Sequence, residues 1–518
     1  MISDLKVTMK ILKNGTLIDG SGNTSKKTDI LIDGQKIKDI GKFPKVDAEE
    51  IDCTNLCIAP GIVDIHSHSD LESLQHRSEK IKQGVTSEVV GNCGFSLFPS
   101  KPNLKNLLPA FEIFDTEPTQ KWDDAYAYFS DLDSKNSYTN IASLTGQGTL
   151  RAFVKGANSG AMDHQETTNA CKILAKCLEQ GSVGISTGLN EVPSAYADLE
   201  ELITLAEIVH EKGGLYTSHL RDYKFQFLEA VEEALEIGRR TGIPVQLSHL
   251  QAVGQKNWHK IDLVLELIEK AELEGVDVAM DAYPYLAGSC KLTQSLPGWS
   301  LEGGTVELIR RLNNPEMRKR IAEETEADRS NTWKDVIVVN ASVEREMIGK
   351  NIQEIAEIRG QDGIQTALDL LLKNNGSVHI VSFNQSEDNL KKVLTHPLTS
   401  IITDGLHHEG IPHPRTFGTY PTFFGEYVRE KKWMTLEEAV RKTTALPAQR
   451  FKLEKRGMIK VGYWADILIF SPEEIGTEST YMKPDVPPVG INHVMVNGEW
   501  EFYEGSLTGK QTGIALKN

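Results

Sequence analysis

The chain reads as an α/β protein: a (β/α)8 TIM-like barrel, a small β-sandwich domain formed from both termini, and an insertion after strand 7. Three observations predict this. Short apolar runs of strand length alternate with amphipathic helical stretches eight times through the middle of the 518 residues, the pattern of a parallel sheet wound with helices. Both ends instead hold β-rich runs punctuated by turn residues. One interval, between the seventh and eighth strands, is too long for a single helix and its loops.

Residues 7–58 open the chain with short β-rich runs separated by Lys13-Asn14-Gly15, Asp19-Gly20-Ser21-Gly22 and Asp33-Gly34. Gly, Asn and Asp clustered in this way supply the backbone conformations that tight turns need. Eight barrel strands follow: Ile62–Ile65, Ser87–Val90, Ile141–Leu144, Val183–Ser186, Leu215–Ser218, Pro244–Ser248, Val276–Met280 and Thr399–Thr403. Asp198–Lys212, Phe225–Thr241 and Lys260–Leu273 carry apolar residues at helical spacing between them. Pro99, Pro102, Pro109 and Pro118 make Lys101–Gln120 a long loop. Between Met280 and Thr399 lie extra elements, including the charged Pro315–Asp328 helix and Asp335–Val339. We read roughly 290–375 as an insertion covering the barrel mouth. The chain closes with Ala465–Phe470 and with Val494–Trp500, broken by Asn497-Gly498. Residues 1–59 plus 457–518 are then the β-sandwich domain, and 60–456 the barrel.

Composition narrows the function. A net charge of −17 argues against electrostatic binding of nucleic acid or of an anionic membrane. Six cysteines in so long a chain are not a disulfide framework. The N-terminus lacks the apolar core of a signal peptide, and no apolar run approaches a membrane span. A cytoplasmic enzyme with free thiols is the expectation.

Barrel enzymes carry their chemistry at the C-terminal ends of the strands. Here those ends hold His66 and His68 on strand 1 and Cys93 just after strand 2. His219 ends strand 5, His249 strand 6 and Asp404 strand 8. Each has an ordinary reading taken singly: satisfied core histidines, a small buried thiol, a turn-capping aspartate. Six residues of metal-ligand type on five strand ends point instead to a metal site.

These residues resemble the amidohydrolase superfamily and, within it, the N-acyl-D-amino-acid deacylase (D-aminoacylase) family. The resemblance spans almost the whole chain. It rests on Pro60-Gly61 through Asp70, Gly91-Asn92-Cys93-Gly94-Phe95, Ser218-His219-Leu220-Arg221, Ser248-His249-Leu250, Tyr283-Pro284-Tyr285 and the His413–Tyr420 segment. It implies zinc-dependent hydrolysis of an N-acyl-D-amino acid to a carboxylate and a free D-amino acid. By the same resemblance Cys93, His219 and His249 hold one tight zinc, and His66, His68 and Asp404 frame a second, weaker site sharing Cys93.

Hydantoinase-like and dihydroorotase-like relatives bridge two metals with a carboxylated lysine at the end of strand 4. Val183–Leu189 has no lysine there, and a Cys93 thiolate can supply the same negative charge. Asp404 is the expected acid–base, taking a proton from water and handing it to the departing amine. Arg415 is the first candidate to hold a substrate carboxylate, and Tyr283 and Ser289 are family-matched hydrogen-bond donors. Arg221 is expected to orient ligands.

Three positions depart from the family pattern. Gln251 stands where a lysine is common, Gln147 where histidine is usual near the mouth, and Glu191 where an aromatic is common. Glu191 reads as a loop carboxylate or an additional metal ligand; Lys291 as a solvated lysine or a cation selecting acidic side chains. His407, His408 and His413 read as pocket or loop residues. The rival functions are a cyclic-amide or dipeptide hydrolase on the same scaffold, and a scaffold protein without catalysis.

Overall fold

The structure, a computed structural model, describes residues 9–100, 121–156 and 158–517. The loop expected at Lys101–Gln120 lies outside the described residues.

Eight parallel strands fill the middle of an α/β fold: β1 (Ile62–Asp64), β2 (Val85–Val90), β3 (Asn140–Ser143, continuing as Thr145–Gly146), β4 (Gly184–Gly188), β5 (Leu215–His219), β6 (Val245–Leu247), β7 (Val278–Ala282) and β8 (Thr399–Ile401). Each is hydrogen-bonded to the next in chain order. Leu144 marks the point where β3 changes partner, since Ser143 still faces Val90 on β2 while Thr145 faces Ile185 on β4. The last strand returns to the first. Asp404 N donates to His66 O at 2.8 Å and His68 N to Gly405 O at 3.1 Å.

Strands covered on both faces have no polar side to show, so they read as continuous apolar runs rather than alternating ones. All six residues of β2 are buried. The helices between follow their start and stop chemistry. Leu199–Glu211 begins at Asp198, whose side chain accepts from Glu201 N. Phe227–Thr241 stops at Gly242, whose positive φ a residue with a Cβ would resist.

Between β7 and β8 a second unit has its own antiparallel sheet, with Val378–Phe383 in the centre and Ala287–Lys291 and Val336–Ala341 at its sides. Helices Thr305–Leu312, Pro315–Asp328, Ile352–Arg359 and Gly363–Lys373 accompany it. Leu308, Ile321, Ile355, Leu368 and Ile380 form its separate core. Its first and last strands start at Ala287 and end at Phe383, a few residues outside the 290–375 read from sequence.

Two further sheets lie at the ends of the chain, one of N-terminal strands alone and one built by both ends together. Ile467–Phe470 pairs antiparallel with Cys57–Pro60, so a strand from each end lies side by side. Leu12, Ile30, Ile58, Ile467, Ile469 and Met495 pack into one core shared by both sheets. Among the described residues no helix is long and apolar enough to cross a membrane.

Candidate metal centre

The ligand-type residues sit where the parallel strands end, and the backbone there is strained in the same sense at three of them. Cys93 (φ 52°), His249 (φ 33°) and Asp404 (φ 47°) all adopt the left-handed region that L-residues avoid. Residues with side chains hold such angles only where the surroundings over-determine them, which is usual at functional sites. For Cys93 the cause is visible. Gly91 and Gly94 flank it, both with positive φ, and a Cβ on Gly91 would lie 2.3 Å from Leu144 O. The turn after β2 therefore has to run tight against β3, and it presents the thiol to the interior.

Ligand atoms of His66, Cys93, His249 and Asp404 all lie within 4.8 Å of one another. Cys93 Sγ is 3.3 Å from His66 Nε2 and 3.6 Å from His249 Nε2. His68 Nε2 lies 3.1 Å from Asp404 Oδ1. The His219 ring stands nearly perpendicular to that of His249, with centroids 4.5 Å apart. All six sequence-identified residues thus meet in one place. The compact four cut across the two sets of three implied by resemblance.

Electrostatics at this point favour a cation. Burial alone pushes the Cys93 thiol up, but His66, His219 and His249 around it hold it well below the ordinary thiol range. Burial likewise works against the Asp404 carboxylate, and Arg415, His68 and His66 hold it well below the usual range. His219 Nε2 is buried with no hydrogen-bond partner among the described residues, which a coordinated ion would satisfy. One thiolate, imidazoles and a carboxylate are donors suited to zinc.

Three buried acids beneath the site escaped the sequence reading. Asp281, on β7, accepts from His249 N at 2.7 Å and from Gln246 Nε2 at 2.8 Å, and lies 3.4 Å from His66 Nδ1. Asp64, on β1, accepts from Lys80 Nζ at 2.5 Å and from Thr403 N at 3.0 Å. The third, Glu88 on β2, accepts from Ser67 Oγ at 2.8 Å. These groups fix the segments carrying His66, His68 and Asp404 from below. The signal was present for Asp64 and Asp281, each an acid inside an otherwise apolar strand; Glu88 has Thr86 and Ser87 beside it on β2.

Arg415 Nη1 lies 2.8 Å from Asp404 Oδ2, and its guanidinium stacks over Tyr283 at 4.8 Å. Tyr283 Oη donates to Gln251 Oε1 at 3.3 Å. Ser289 lines the cavity above the ligands. His413 accepts from Arg415 N through Nδ1 and donates to Ala287 O through Nε2, fixing the start of helix Arg415–Thr422. His408 stacks on His379 and His407 lies against Arg77 and Glu79.

Two expectations need correcting. Gln147 is not a polar contact at the mouth: it is fully buried, donates to Glu201 Oε1 and accepts from Ser194 Oγ. Among the described residues Arg221 hydrogen-bonds to none of the six ligand-type side chains; it pairs with Glu233 and donates to the carbonyls of Ala195 and Ala197, bracing the loop after β4. Glu191 accepts from Gln294 and stands outside the compact four. Lys291 lines the same cavity.

Parallel strands whose C-terminal ends gather histidine, cysteine and aspartate at one buried point define an amidohydrolase-type hydrolytic site. The profile of the Amidohydrolase family matches residues 306–500. A D-aminoacylase of Alcaligenes xylosoxydans xylosoxydans is 32% identical over 509 residues, 98% of this chain and 97% of that one. An N-acyl-D-glutamate deacylase of the same organism is 33% identical over 491 residues, 94% and 92% of the two chains. The crystal structure of N-acyl-D-glutamate deacylase from Bordetella bronchiseptica, in complex with zinc and a phosphonate mimic of the tetrahedral intermediate, superimposes with a TM-score of 0.86. Its identity is 32%, covering 98% of this chain and 99% of that one. The chain belongs to the D-aminoacylase family of amidohydrolases.

Proposed function

We propose that this chain is a zinc-dependent amidase that hydrolyses N-acyl-D-amino acids to a carboxylate and a free D-amino acid. The observation that carries it is the convergence of His66, Cys93, His249 and Asp404 within 4.8 Å, beside an arginine paired with that same aspartate. Cys93, His219 and His249 would hold the tight zinc, and His66, His68 and Asp404 would frame a second, weaker site sharing Cys93.

A bound metal supplies Lewis-acid polarisation of the amide carbonyl and makes water more acidic. The protein's own groups do the rest. Asp404, ionised, accepts the proton of the attacking water and returns it to the amine nitrogen as the C–N bond breaks. Arg415, Tyr283 and Ser289 hold the α-carboxylate, so that the amide lies over the ligand cluster and water attacks from one side. Asp281 and Asp64 keep the imidazole and Asp404 segments in place.

The strand order, with β8 returning to β1, supports a closed (β/α)8 barrel over 60–456. The shared core of the two terminal sheets supports a β-sandwich from 1–59 and 457–518. The antiparallel unit between β7 and β8 is the insertion over the mouth. All six cysteines are free thiols, which suits a reducing cytoplasm. We expect no nucleic-acid or membrane partner.

A cyclic-amide hydrolase is disfavoured because the tip of β4, Ser186-Thr187-Gly188, offers no lysine. The test is a side-by-side assay of N-acetyl-D-amino acids, their L counterparts, hydantoins and dipeptides, with zinc quantified per chain. Turnover confined to a ring substrate defeats the proposal.

A further inference from the structure

The space above the ligand cluster divides into two lobes that share His219, His249, Asp404 and Arg415. One, about 530 Å³, runs past Phe95, Val192, Tyr196, Trp299, Leu301 and Leu308. The other, about 460 Å³, is lined by Arg221, Asp222, Gln251, Tyr283, Asn331 and Asn384. The first wall is mainly apolar; the second, the polar lobe, is the more polar of the two, with polar and apolar surface in about equal parts.

The placement of the carboxylate-binding groups assigns the lobes. Tyr283 and Gln251 line only the polar lobe. A substrate held by Arg415 and Tyr283 has its amino-acid half on that side. Its scissile carbon lies at the ligands, where the lobes meet, so the acyl half leaves in the other direction, into the apolar lobe. An acetyl group has three heavy atoms, about three waters' worth at ~30 Å³ each. It leaves most of the 530 Å³ as water against leucine, tryptophan and phenylalanine side chains. Leaving apolar walls wet forgoes the contact that drives ligand binding.

The polar groups on that wall do not change this. Glu191 is engaged by Gln294 and feels the Lys291 ammonium in the same lobe, so the two charges answer each other. His379, stacked on His408 with rings 6° from parallel, is held neutral by burial. Trp299 and Leu301 pack on the core of the unit between β7 and β8, so that unit builds much of the lobe.

Resting on the deacylase reading, we infer that the preferred substrates carry an apolar acyl group well beyond acetyl, about six to ten carbons or an aryl equivalent, seated against Phe95, Val192, Tyr196, Trp299 and Leu301. The amide cleaved and the products' chemistry are unchanged; the acid released is a medium-chain or aryl carboxylic acid.

The experiment measures kcat/KM of the zinc-loaded full-length enzyme on N-acetyl-, N-hexanoyl- and N-octanoyl-D-alanine, with N-acetyl-D-2-aminodecanoic acid alongside. We expect about fourfold per added acyl methylene over the first few, and at least tenfold from acetyl to octanoyl. Leu301→Glu, at a half-buried position, lowers octanoyl turnover at least tenfold more than acetyl turnover. A flat series, or a preference for acetyl, overturns the inference and leaves the deacylase reading standing. A gain that follows side-chain length rather than acyl length overturns it too. If no N-acyl-D-amino acid is cleaved, both fall together.

Discussion

Arg415 Nη1 stands 2.8 Å from Asp404 Oδ2, with both side chains less than a tenth exposed. The cation that receives a substrate carboxylate is thereby paired with the carboxylate that moves the proton. Because Arg415 depresses Asp404, its loss acts on binding and on titration together. Arg415→Met should lower kcat/KM by about 10²-fold or more, on the scale of losing a buried charge-assisted contact. Without the guanidinium the Asp404 carboxyl titrates higher. The ionised form that accepts a proton is then lost at a higher pH as pH falls, and the acid limb of the pH–rate profile moves upward. Arg415→Lys keeps the charge, so the limb should move less. Profiles of kcat and kcat/KM against pH for the three proteins check this; an unmoved limb with only KM raised would confine Arg415 to binding.

Asp404→Asn tests the proton carrier. The amide keeps the size and one acceptor oxygen, while Cys93, His219 and His249 are untouched. Zinc content should stay near wild type and kcat should fall by about 10²–10⁴-fold, the usual scale of acid–base assistance. Metal analysis and initial rates on the same preparation separate the two. Undiminished kcat would remove Asp404 from its role.

Asp281 touches no expected substrate, yet it accepts from the backbone of His249 and lies against His66 Nδ1. Groups that orient metal-binding side chains cost about 10–100-fold in metal affinity when removed. Asp281→Asn should weaken zinc by that factor in a chelator-competition titration, and excess zinc should restore most of the activity. If affinity is unchanged, its role is limited to packing.

The strand-by-strand order of the middle was legible because buried parallel strands carry an apolar run and end abruptly in polar residues. The six ligand-type residues were legible for the same reason, since His66, His68, Cys93, His219, His249 and Asp404 sit at those ends. Asp281, Asp64 and Glu88 were passed over because an apolar run was read for its apolar members. A lone acid in such a run is expensive to bury, and it was the better clue. Gln147 and Arg221 were misread for another reason: their neighbours in sequence sit at the rim, but Gln147 is buried against Glu201, and Arg221, though it lines the polar lobe, is tied to Glu233. Glu201 lies 54 residues from Gln147, and the Ala195 and Ala197 carbonyls and Glu233 lie 26, 24 and 12 from Arg221, so no local pattern announces them.

The buried cluster around Arg151 gives a stability prediction. Arg151 is 1% exposed and Glu201 4%. Glu201 receives Arg151 Nη1, Gln147 Nε2 and Met162 N. Removing one partner of such a pair leaves an uncompensated buried charge, at a cost of about 3–5 kcal/mol. Glu201→Ala should show a loss of that order in denaturant unfolding, with zinc site and kcat kept in the fraction that remains folded. A change under about 1 kcal/mol would mean that water replaces the carboxylate.

Gln251 offers the last prediction, a change in substrate choice. Its side-chain oxygen accepts from Tyr283 Oη at the polar lobe. The lobe's other cations are already engaged: Arg221 with Glu233, Lys224 with Asp328 and Arg329 with Glu326. An acidic substrate side chain entering there would lose water and meet no free partner among these, which is costly in a secluded site. Gln251→Lys supplies one. It should raise kcat/KM for N-acyl-D-glutamate relative to N-acyl-D-glutamine about tenfold or more, the scale of a charge-assisted hydrogen bond of about 1.5–3 kcal/mol. Because the lysine is screened where the lobe opens to solvent, the gain should shrink as salt is added. An unchanged ratio between the two substrates would mean that the side chain does not enter this lobe, and would send the search for the selecting residue to Lys291 on the opposite wall.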